Sequence, residues 1–325
     1  MMTSSSSISP ERIPVVILTG PTASGKSALA VSLATRFNGE IINADSMQVF
    51  RYMNIGTAKP SLEERSLCPH HLFDVADPDT AYSAGRYAEE ARAVARDIHQ
   101  RGKAIFLTGG TGLYIRAFLH GLVQTGAADP TLRAELEAEH AESVKEGAPH
   151  RLHQRLAGID PDAAARIHPN DIRRTIRALE IISQAGRSAW AVRRDHGFNE
   201  SPFRTLHLAI DPGREEVTSR ISTRCHQMIE AGLLQEVRQL RGQGYGADLR
   251  PMQAIGYRHI NPVVDGHDTL ASAVEVMIRD TRKFARRQRT WLRGIDDVVW
   301  LSPSDEAPIR QQVDSFLSTG SLPPA

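Results

Sequence analysis

The sequence predicts an α/β fold, in which a parallel sheet forms the core and an all-helical lobe is inserted into it. Residues 13–19 (IPVVILT) and 103–108 (KAIFLT) are largely apolar runs, which are typical of strands buried on both faces of a parallel sheet. Stretches with helical spacing separate such strands, as βαβ units require. After about Gly121 the pattern changes to helices, and no convincing strand occurs until residue 204. Together these observations predict a doubly wound core with one helical insertion.

The composition is that of a globular protein. The chain has 325 residues, with 41% hydrophobic and 24% charged side chains, and this length suits about two domains. Such a composition excludes a disordered, collagen-like or disulfide-stapled chain. The 39 basic and 38 acidic residues leave a net charge of +1, so the overall charge indicates no partner. A polyanion would have to meet local clusters of basic residues.

The sequence also predicts a cytoplasmic location. Cys68 and Cys225 are too few for a disulfide framework, and low cysteine use is typical of a reducing compartment. Serines stand near the N-terminus where a signal peptide has its apolar core, and no run of about 18 apolar residues occurs that could span a membrane. We interpret residues 1–12 as a flexible tail, and we expect a monomer without a membrane partner.

The elements of the core are predicted in order from the first strand. Residues 27–37 carry apolar side chains at helical spacing, and residues 40–44 (EIINA) form the second strand. Residues 84–100 contain strong helix formers, and Gly102 ends that helix. The strand at residues 103–108 follows and leads into the sequence GGTGLY.

The insertion begins where Asp129 and Pro130 form a helix start. Its clearest helix covers residues 170–185, with a capping Asn or Asp at its start and Gly186 after its end. Apolar side chains of this helix fall on one stripe, which predicts that it packs within a core of the lobe.

Strand character returns at residues 204–210, helices continue to Arg293, and residues 298–301 (VVWL) add a last strand. The predicted organisation is a flexible tail at 1–12, a core at 13–121 and 202–302, a helical insertion at 122–201 and a weakly ordered tail at 303–325.

The strongest motif lies between the first strand and the first helix. Residues 20–27 (GPTASGKS) fill the template G-x-x-x-x-G-K-[ST] in the strand-loop-helix context that this template requires. Backbone N–H groups of such a loop surround phosphate oxygens, Lys26 adds a positive charge, and the Ser27 hydroxyl is a ligand for Mg²⁺. The motif predicts a phosphate or diphosphate site on a P-loop NTPase-like core.

The loop does not reveal which phosphate compound binds, because kinases, ATPases and transferases with a diphosphate leaving group need the same cradle. Asp45 (in NADSMQVF) is an acid at the C-terminal end of a predicted strand, where sites form in parallel sheets. It could hold Mg²⁺, act as a general base, or cap a turn before Ser46. The spacing of the residues does not distinguish these three roles.

Two further groups give weaker signals. Residues 109–112 (GGTG) also follow a strand and allow a ligand to approach the backbone closely. His70 and His71 suggest a metal, but adjacent residues of a strand point to opposite faces, which favours ordinary packing and hydrogen bonding.

Two helices carry clusters of basic residues. At 100° per residue, the basic side chains of residues 277–293 fall on one arc and the apolar ones on the opposite arc. The basic residues are Arg279, Arg282, Lys283, Arg286, Arg287, Arg289 and Arg293, against the single acid Asp280. On the lobe helix, Arg173, Arg174 and Arg177 are grouped by i, i+3 and i+4 spacing. Two separate guanidinium patches indicate a nucleic-acid backbone.

The ordered motifs resemble one family across most of the chain. They are GPTASGKS, NADSMQVF, MNIGTAKP, PHHLFDV, GGTGLY, HPNDIRRTIRALE, GYRHI and RRQRTWLR. In their order and spacing they closely resemble the bacterial tRNA dimethylallyltransferases, also called tRNA isopentenyltransferases. The resemblance implies transfer of a dimethylallyl group from dimethylallyl diphosphate to the exocyclic amine of the adenosine 3′ of the tRNA anticodon. Diphosphate would leave, Mg²⁺ would be required, and the helical insertion would grip the anticodon stem-loop.

The resemblance also implies roles for individual residues. The diphosphate loop is Gly20, Pro21, Thr22, Ala23, Ser24, Gly25, Lys26 and Ser27, and Ser27 binds Mg²⁺ together with the diphosphate. Asp45 is the implied general base, and Thr22 and Arg220 are the implied residues beside the reacting substrate. The implied tRNA contacts are Asp45, Ser46, Met47, Gln48, Thr111, Arg133, Arg173, Arg174, Thr175, Ile176, Arg177, Gln253, Ala254, Ile255, Gly256, Tyr257, Arg258, Arg286, Arg287, Gln288, Arg289, Thr290, Trp291, Leu292 and Arg293.

Three other functions share parts of this pattern. A P-loop kinase of a small metabolite would use the same cradle but leaves both arginine clusters unexplained. An isopentenyltransferase acting on free adenylate would be active on AMP without RNA. A non-catalytic RNA-binding protein with a nucleotide switch would form no product.

Overall fold

A computed structural model describes residues 12–122, 129–186, 188, 191 and 201–319. The described residues fall into two compact units, with residues 12–119 and 201–319 in the first and those between 120 and 200 in the second. The predicted flexible tail at 1–12, apart from Arg12, and the final residues 320–325 lie outside the described residues. No described helix combines the length and the apolar character needed to cross a membrane.

The first unit is built on a six-stranded parallel sheet with the order β3-β2-β4-β1-β5-β6. The strands are β1 (Ile13–Thr19), β2 (Gly39–Asn43), β3 (His70–His71), β4 (Ala104–Thr108), β5 (Phe203–Ile210) and β6 (Val298–Leu301). The predicted parallel α/β core is confirmed. The short β3 pairs with β2 and consists of His70 and His71, which were considered above as adjacent residues of a strand.

Alternate residues of the central strands enter two different cores, one on each face of the sheet. Val15 and Ile17 belong to one core, and Val16 and Leu18 belong to the other. This is why β1 reads as a continuous apolar run rather than an alternating one.

Helices cover both faces of this sheet. Those of the first unit are α1 (Lys26–Arg36), α2 (Leu62–Leu67), α3 (Ala84–Gln100), α4 (Gly112–His120), α9 (Arg214–Glu230), α10 (Leu233–Gly242), α11 (Tyr257–Val264), α12 (Leu270–Leu292) and α13 (Glu306–Thr319). The last residue of α4, His120, is assigned to the second unit. Ser61 and Ser83 cap α2 and α3 through side-chain hydrogen bonds to backbone N–H groups.

The prediction of a weakly ordered tail from residue 303 is wrong over residues 306–319. These residues form α13, whose Ile309, Val313 and Phe316 side chains are 0% exposed and pack into the core that contains Val16 and Leu18. Their i, i+4, i+7 spacing supplies the apolar stripe of a packed helix. A helix this short is not stable by itself in water, and packing against the face of the sheet stabilises it.

The second unit is helical and has its own core. Its helices are α5 (Pro130–Lys145), α6 (Arg151–Ile159), α7 (Pro161–Ala164) and α8 (Ile172–Ala185). Leu136, Leu152 and Leu156 pack with Ile176 and Leu179 of α8. Asp171 caps α8, and Gly186 ends it in the left-handed conformation. The role of this unit in RNA binding remains a prediction.

Candidate active site

Three loops meet at one edge of the sheet. They follow β1, β2 and β4, which are neighbours in the sheet, and all three strands run parallel. Their carboxyl ends therefore lie at the same edge, where ligands bind in open α/β sheets. The loop after β1 is residues 20–25, the loop after β2 carries Asp45, and the loop after β4 contains the GGTG sequence at residues 109–112.

The loop after β1 has the tight backbone that its glycines allow. A Cβ atom on Gly20 would overlap the carbonyl oxygen of Ile210 on β5, so only glycine fits against this neighbouring strand. Gly25 has φ 92° and precedes α1 directly. The N-terminal N–H groups of α1 therefore follow the turn, which is the arrangement that binds anions.

Lys26 begins α1 and lies beside other charged groups. Its Nζ atom donates to the Pro21 carbonyl oxygen at 3.3 Å. Burial lowers the pKa of Lys26 to about 8, with a further lowering from the positive charge of Arg224 and an opposing effect from Asp45. An anion bound nearby would restore the charged form, so this environment suits a phosphate ligand.

Both the backbone and the side chain of Thr22 form hydrogen bonds with residues distant in sequence. Its backbone N–H donates to Oε1 of Gln288 at 2.8 Å, and its Oγ1 accepts from Nη1 of Arg224 at 3.1 Å. Because Oγ1 acts as an acceptor here, the hydroxyl hydrogen remains available for an oxygen atom of a ligand.

The structure places Arg224, rather than Arg220, against Thr22. Arg220 instead donates from Nε to Glu216 at 2.7 Å and is 40% exposed, although one of its Nη atoms lies 3.5 Å from where a Cβ on Gly25 would be. Arg224 is half-buried, and burial lowers its pKa. The prediction that Arg220 lies near the diphosphate stays a prediction, since Arg220 also borders the P-loop at Gly25. The two arginines stand four residues apart on α9 and both reach the P-loop, Arg224 at Thr22 and Arg220 near Gly25.

Asp45 forms a turn and keeps one oxygen for other use. Its Oδ1 accepts from the Met47 N–H at 2.8 Å, while its own N–H donates to Asn43 Oδ1 at 2.9 Å. Among the described residues, no hydrogen-bond donor reaches Oδ2. Asp45 can therefore cap the turn with Oδ1 and still act as a general base or Mg²⁺ ligand with Oδ2.

The GGTG loop is packed against its neighbours without room for side chains. A Cβ on Gly109 would overlap Ala44, and one on Gly112 would overlap the ring of Trp291 on α12. Thr111 joins this loop to the Asp45 loop, since its Oγ1 accepts from the Ser46 N–H at 3.0 Å. The second glycine cluster thus fixes the position of the Asp45 segment.

The outer face of α12 carries the predicted basic surface. Six of the seven basic residues are exposed. They are Arg279, Arg282, Lys283, Arg286, Arg287 and Arg293. Arg289 is a correction: it is 13% exposed and pairs with Asp211, which follows β5, through Nε at 2.6 Å. Helical periodicity predicted the side of α12 on which Arg289 lies, but it could not predict that Asp211 lies opposite this side chain.

Five of the predicted tRNA contacts have buried side chains in this structure, and their role at the tRNA stays a prediction. They are Thr175, Ile176, Tyr257, Gln288 and Leu292. Tyr257, for example, donates to buried Glu236 at 2.6 Å, and burial raises its pKa well above the usual value. Glu236 also accepts from the backbone N–H groups of Asn54, Ile55 and Gly56. Tyr257 and Glu236 thus support the loop at residues 54–56.

Other predicted contacts make local hydrogen bonds from side chains that are not fully buried. Gln48 donates to the carbonyl oxygens of Thr57 and Ala58, and Gln253 donates to that of Ala247. Arg258 pairs with Asp280 of α12 at 2.7 Å. Exposed Thr290 donates to the carbonyl oxygen of Arg286.

In the second unit, two predicted arginines converge on one buried acid. Glu180 is 0% exposed and accepts from Nε and Nη2 of Arg133, at 2.7 and 2.9 Å, and from Nη1 of Arg177 at 2.9 Å. Both arginines lower the pKa of Glu180, although burial opposes this. Arg174 pairs with Asp171 at 3.2 Å, and Arg173 is exposed.

Comparison with known families places this site in context. The sequence model described as IPP transferase matches residues 48–295, which is most of the chain. The chain belongs to the IPP transferase family. Curated relatives of this family member include the tRNA dimethylallyltransferase of Desulfatibacillum aliphaticivorans, 44% identical over 95% of this chain and 99% of that protein. Another is that of Geobacter metallireducens, 46% identical over 95% and 97% of the two chains.

Solved structures of the family have the same fold. The full-length tRNA isopentenylpyrophosphate transferase of Bacillus halodurans has 38% identity and a TM-score of 0.69, over 94% of this chain and 97% of that one. A eukaryotic dimethylallyltransferase, described in snapshots of it acting on tRNA, has 30% identity and a TM-score of 0.78, over 95% and 80% of the chains. The family assignment therefore rests on both sequence and fold.

Proposed function

We propose that this IPP transferase family member is a tRNA dimethylallyltransferase. It transfers the dimethylallyl group of dimethylallyl diphosphate to the exocyclic amine of the adenosine 3′ of the anticodon and releases diphosphate. One observation carries the proposal: the P-loop, the Asp45 carboxylate and the pair formed by Thr22 and Arg224 meet at one sheet edge of a chain that belongs to this family.

The positive groups at the loop suit a diphosphate leaving group. Burial lowers the pKa of both Lys26 and Arg224, and the positive charge of Arg224 lowers that of Lys26 further, so a bound anion relieves this cost. The Thr22 hydroxyl has its hydrogen available for a diphosphate oxygen. As the bond to the allylic carbon breaks, negative charge grows on the diphosphate, and these fixed groups stabilise it.

Asp45 accepts the proton of the attacking amine. The lone pair of an exocyclic adenine amine is delocalised into the ring, so this amine is a poor nucleophile. A carboxylate that takes its proton while the new carbon–nitrogen bond forms lowers the barrier. Oδ2 is the oxygen for this role, because Oδ1 already holds the turn at Met47. The adenine would reach Asp45 after flipping out of its stack.

Ser27 fits a Mg²⁺ ion shared with the diphosphate. Its hydroxyl is exposed in the first turn of α1, beside the loop proposed for the diphosphate. Mg²⁺ prefers oxygen ligands and commonly combines few protein ligands with substrate phosphates. Within the part of the chain that the structure describes, no three His, Cys, Asp or Glu side chains are grouped to hold a metal. The diphosphate would therefore supply ligands, and bound Mg²⁺ would neutralise part of its charge.

The tRNA anticodon stem-loop is the proposed acceptor, with the exposed arginines of α12 and of the helical unit at its phosphates. The metabolite kinase is not favoured by any of the named relatives, which are transferases.

The test is incubation of the purified protein with Mg²⁺, dimethylallyl diphosphate and unmodified tRNA, followed by mass analysis of the digested nucleosides. A dimethylallyl-sized gain on one adenosine is expected. No gain with tRNA, together with consumption of ATP when small acceptors are offered, would contradict the proposal. A gain on AMP without RNA would instead identify an adenylate isopentenyltransferase.

Asp45→Asn is the matched variant for this assay. The amide oxygen of Asn still accepts from the Met47 N–H, so the turn is kept while the base is lost. We expect turnover to fall by about 10² to 10⁴, with tRNA affinity nearly unchanged in a filter-binding measurement. An equal loss of tRNA binding would make Asp45 a purely structural residue.

A further inference from the structure

Gln288 connects the two glycine loops of the site from the inner face of α12. It is 7% exposed. Its Oε1 accepts from the Thr22 N–H at 2.8 Å, and its Nε2 donates to the Gly110 carbonyl oxygen at 3.2 Å. One partner is a donor and the other an acceptor, so the two ends of an amide match the pair, whereas a carboxylate or an apolar side chain would not.

The two loops joined in this way belong to neighbouring strands. Thr22 follows β1 and Gly110 follows β4. Thr22 also carries the hydroxyl that accepts from Arg224. Gln288 therefore fixes the backbone of the residue whose side chain lies beside the proposed diphosphate position.

The absence of a side chain at Gly110 leaves room for the Gln288 side chain. A Cβ on Gly110 would overlap Nε2 of Gln288, while the other nearby atoms are Gln288 Cδ at 3.4 Å and the Gly20 carbonyl oxygen at 4.0 Å. The φ angle of Gly110 lies outside the left-handed region, so its backbone would accept alanine. The space that glycine leaves at 110 thus serves Gln288.

We propose that Gln288 is a positioning residue for the diphosphate loop and not a contact to RNA. It sets the separation between the P-loop at Thr22 and the GGTG loop at Gly110. The inference rests on the proposed function, because it concerns the diphosphate substrate of that reaction. Neighbouring residues of α12 then divide into two roles: Gln288 faces the loops, while exposed Arg286 and Arg287 form part of the surface proposed for RNA.

The first test compares Gln288→Met with Arg287→Met. Methionine keeps the length of Gln288 and removes both hydrogen bonds. We expect this change to raise the dissociation constant of inorganic diphosphate, used as a probe in calorimetry, and to lower kcat/KM for dimethylallyl diphosphate by about 10- to 100-fold. The KM for tRNA stays unchanged. Arg287→Met shows the opposite pattern, with a raised KM for tRNA and unchanged diphosphate affinity.

The second test is a double-mutant cycle with Gly110→Ala. In the wild-type background this change displaces Gln288 and weakens diphosphate binding as much as Gln288→Ala does. In the Gln288→Ala background it adds almost nothing, because the side chain it would collide with is gone. Strong non-additivity is therefore expected. The melting temperature of each variant is measured alongside.

Three results would overturn the inference. A Gln288→Met variant with a raised KM for tRNA and wild-type diphosphate affinity would make Gln288 an RNA contact. Variants with lower melting temperatures but unchanged diphosphate affinity and kcat would give it a purely structural role. Additive effects in the cycle would show that Gly110→Ala does not act through Gln288. A wild-type protein that neither binds diphosphate nor forms product would instead contradict the proposed function itself.

Discussion

Arg224 and Lys26 illustrate, at the scale of single residues, how a buried positive charge is arranged before its ligand arrives. Burial lowers the pKa of both cations, and the positive charge of Arg224 lowers that of Lys26 further. Such an arrangement is unfavourable in the free protein and becomes favourable when an anion binds. Two predictions concern these side chains.

The affinity for dimethylallyl diphosphate depends on pH through Lys26. Its pKa of about 8 in the free protein means that it is charged below about pH 8 and loses its proton above it. KM for dimethylallyl diphosphate is therefore expected to rise as pH increases through this range. A bound diphosphate favours the charged form, so kcat falls only at higher pH. Steady-state kinetics from about pH 7 to 10 measure both values.

Lys26→Arg provides the control for this profile, because a guanidinium keeps its charge throughout that range. Its KM for dimethylallyl diphosphate is expected to be higher at neutral pH but flat with pH. If the wild-type rise persists in Lys26→Arg, a group other than Lys26 causes it.

Arg224 and Arg220 form a matched pair on α9. Arg224→Ala removes the donor to Thr22 and a positive charge beside the proposed diphosphate position, and we expect kcat/KM to fall about 10²- to 10³-fold. Arg220→Ala breaks a partly exposed pair with Glu216, and we expect a smaller loss. Kinetics with saturating tRNA make the comparison. Equal losses would place both arginines at the reacting substrate.

At the scale of elements, α12 combines two faces with different partners. Its inner face holds the loops through Gln288 and Trp291, and Arg289 is tied to Asp211 beyond the end of β5. Its outer face is exposed and basic. A surface built on a helix that is fixed at several points keeps its charges in place, which favours binding of a phosphate backbone at a defined position.

The outer face is expected to determine the salt dependence of tRNA binding. Replacing Arg286 and Arg287 with alanine should weaken binding and reduce the slope of log affinity against log salt concentration by about 1 for each phosphate that is no longer neutralised. Arg289→Ala should leave the slope unchanged and lower the melting temperature, since it leaves half-buried Asp211 unpaired. Filter binding at several salt concentrations and thermal melts provide the data. An unchanged slope in the double variant would remove the outer face from the RNA surface.

At the scale of the whole molecule, the core of the first unit is closed by the last described helix. The sheet has two apolar faces, and α13 covers part of the one that contains Val16 and Leu18. Without this helix, strands that are buried on both sides would face water. The C-terminal segment is therefore part of the folded core and not an appendage.

Ending the chain after residue 303 tests this role of α13. Burial of Ile309, Val313 and Phe316 stabilises the protein by about 1.5–3 kcal/mol per side chain, against a typical total of about 5–15 kcal/mol. We expect a lower melting temperature and aggregation of the shortened chain. Chain ends at residue 319 and at residue 303 can be compared in thermal melts. A shortened chain that melts like the longer one would show that the helix adds no stability.

Several strands, the caps of α8 and the position of the P-loop could be predicted from the sequence alone. Apolar runs determined the parallel strands β1 and β4, because a strand buried on both faces is apolar almost throughout. Capping residues determined the start and end of α8. The P-loop template predicted the anion site, because its glycines and lysine have one local geometry. All of these are local properties, which neighbouring residues decide among themselves.

Other features depended on contacts between residues far apart in sequence. The sequence did not single out Arg224, and only the packing of α9 against the P-loop placed it at Thr22. Likewise, periodicity gave Arg289 its direction, but the fold supplied Asp211 opposite it. The sequence by itself determined the strands, the caps and the phosphate loop, whereas the tertiary structure decided which side chains are buried and paired. The physical reason is that periodicity determines direction along one element, while burial and pairing depend on what lies across from it.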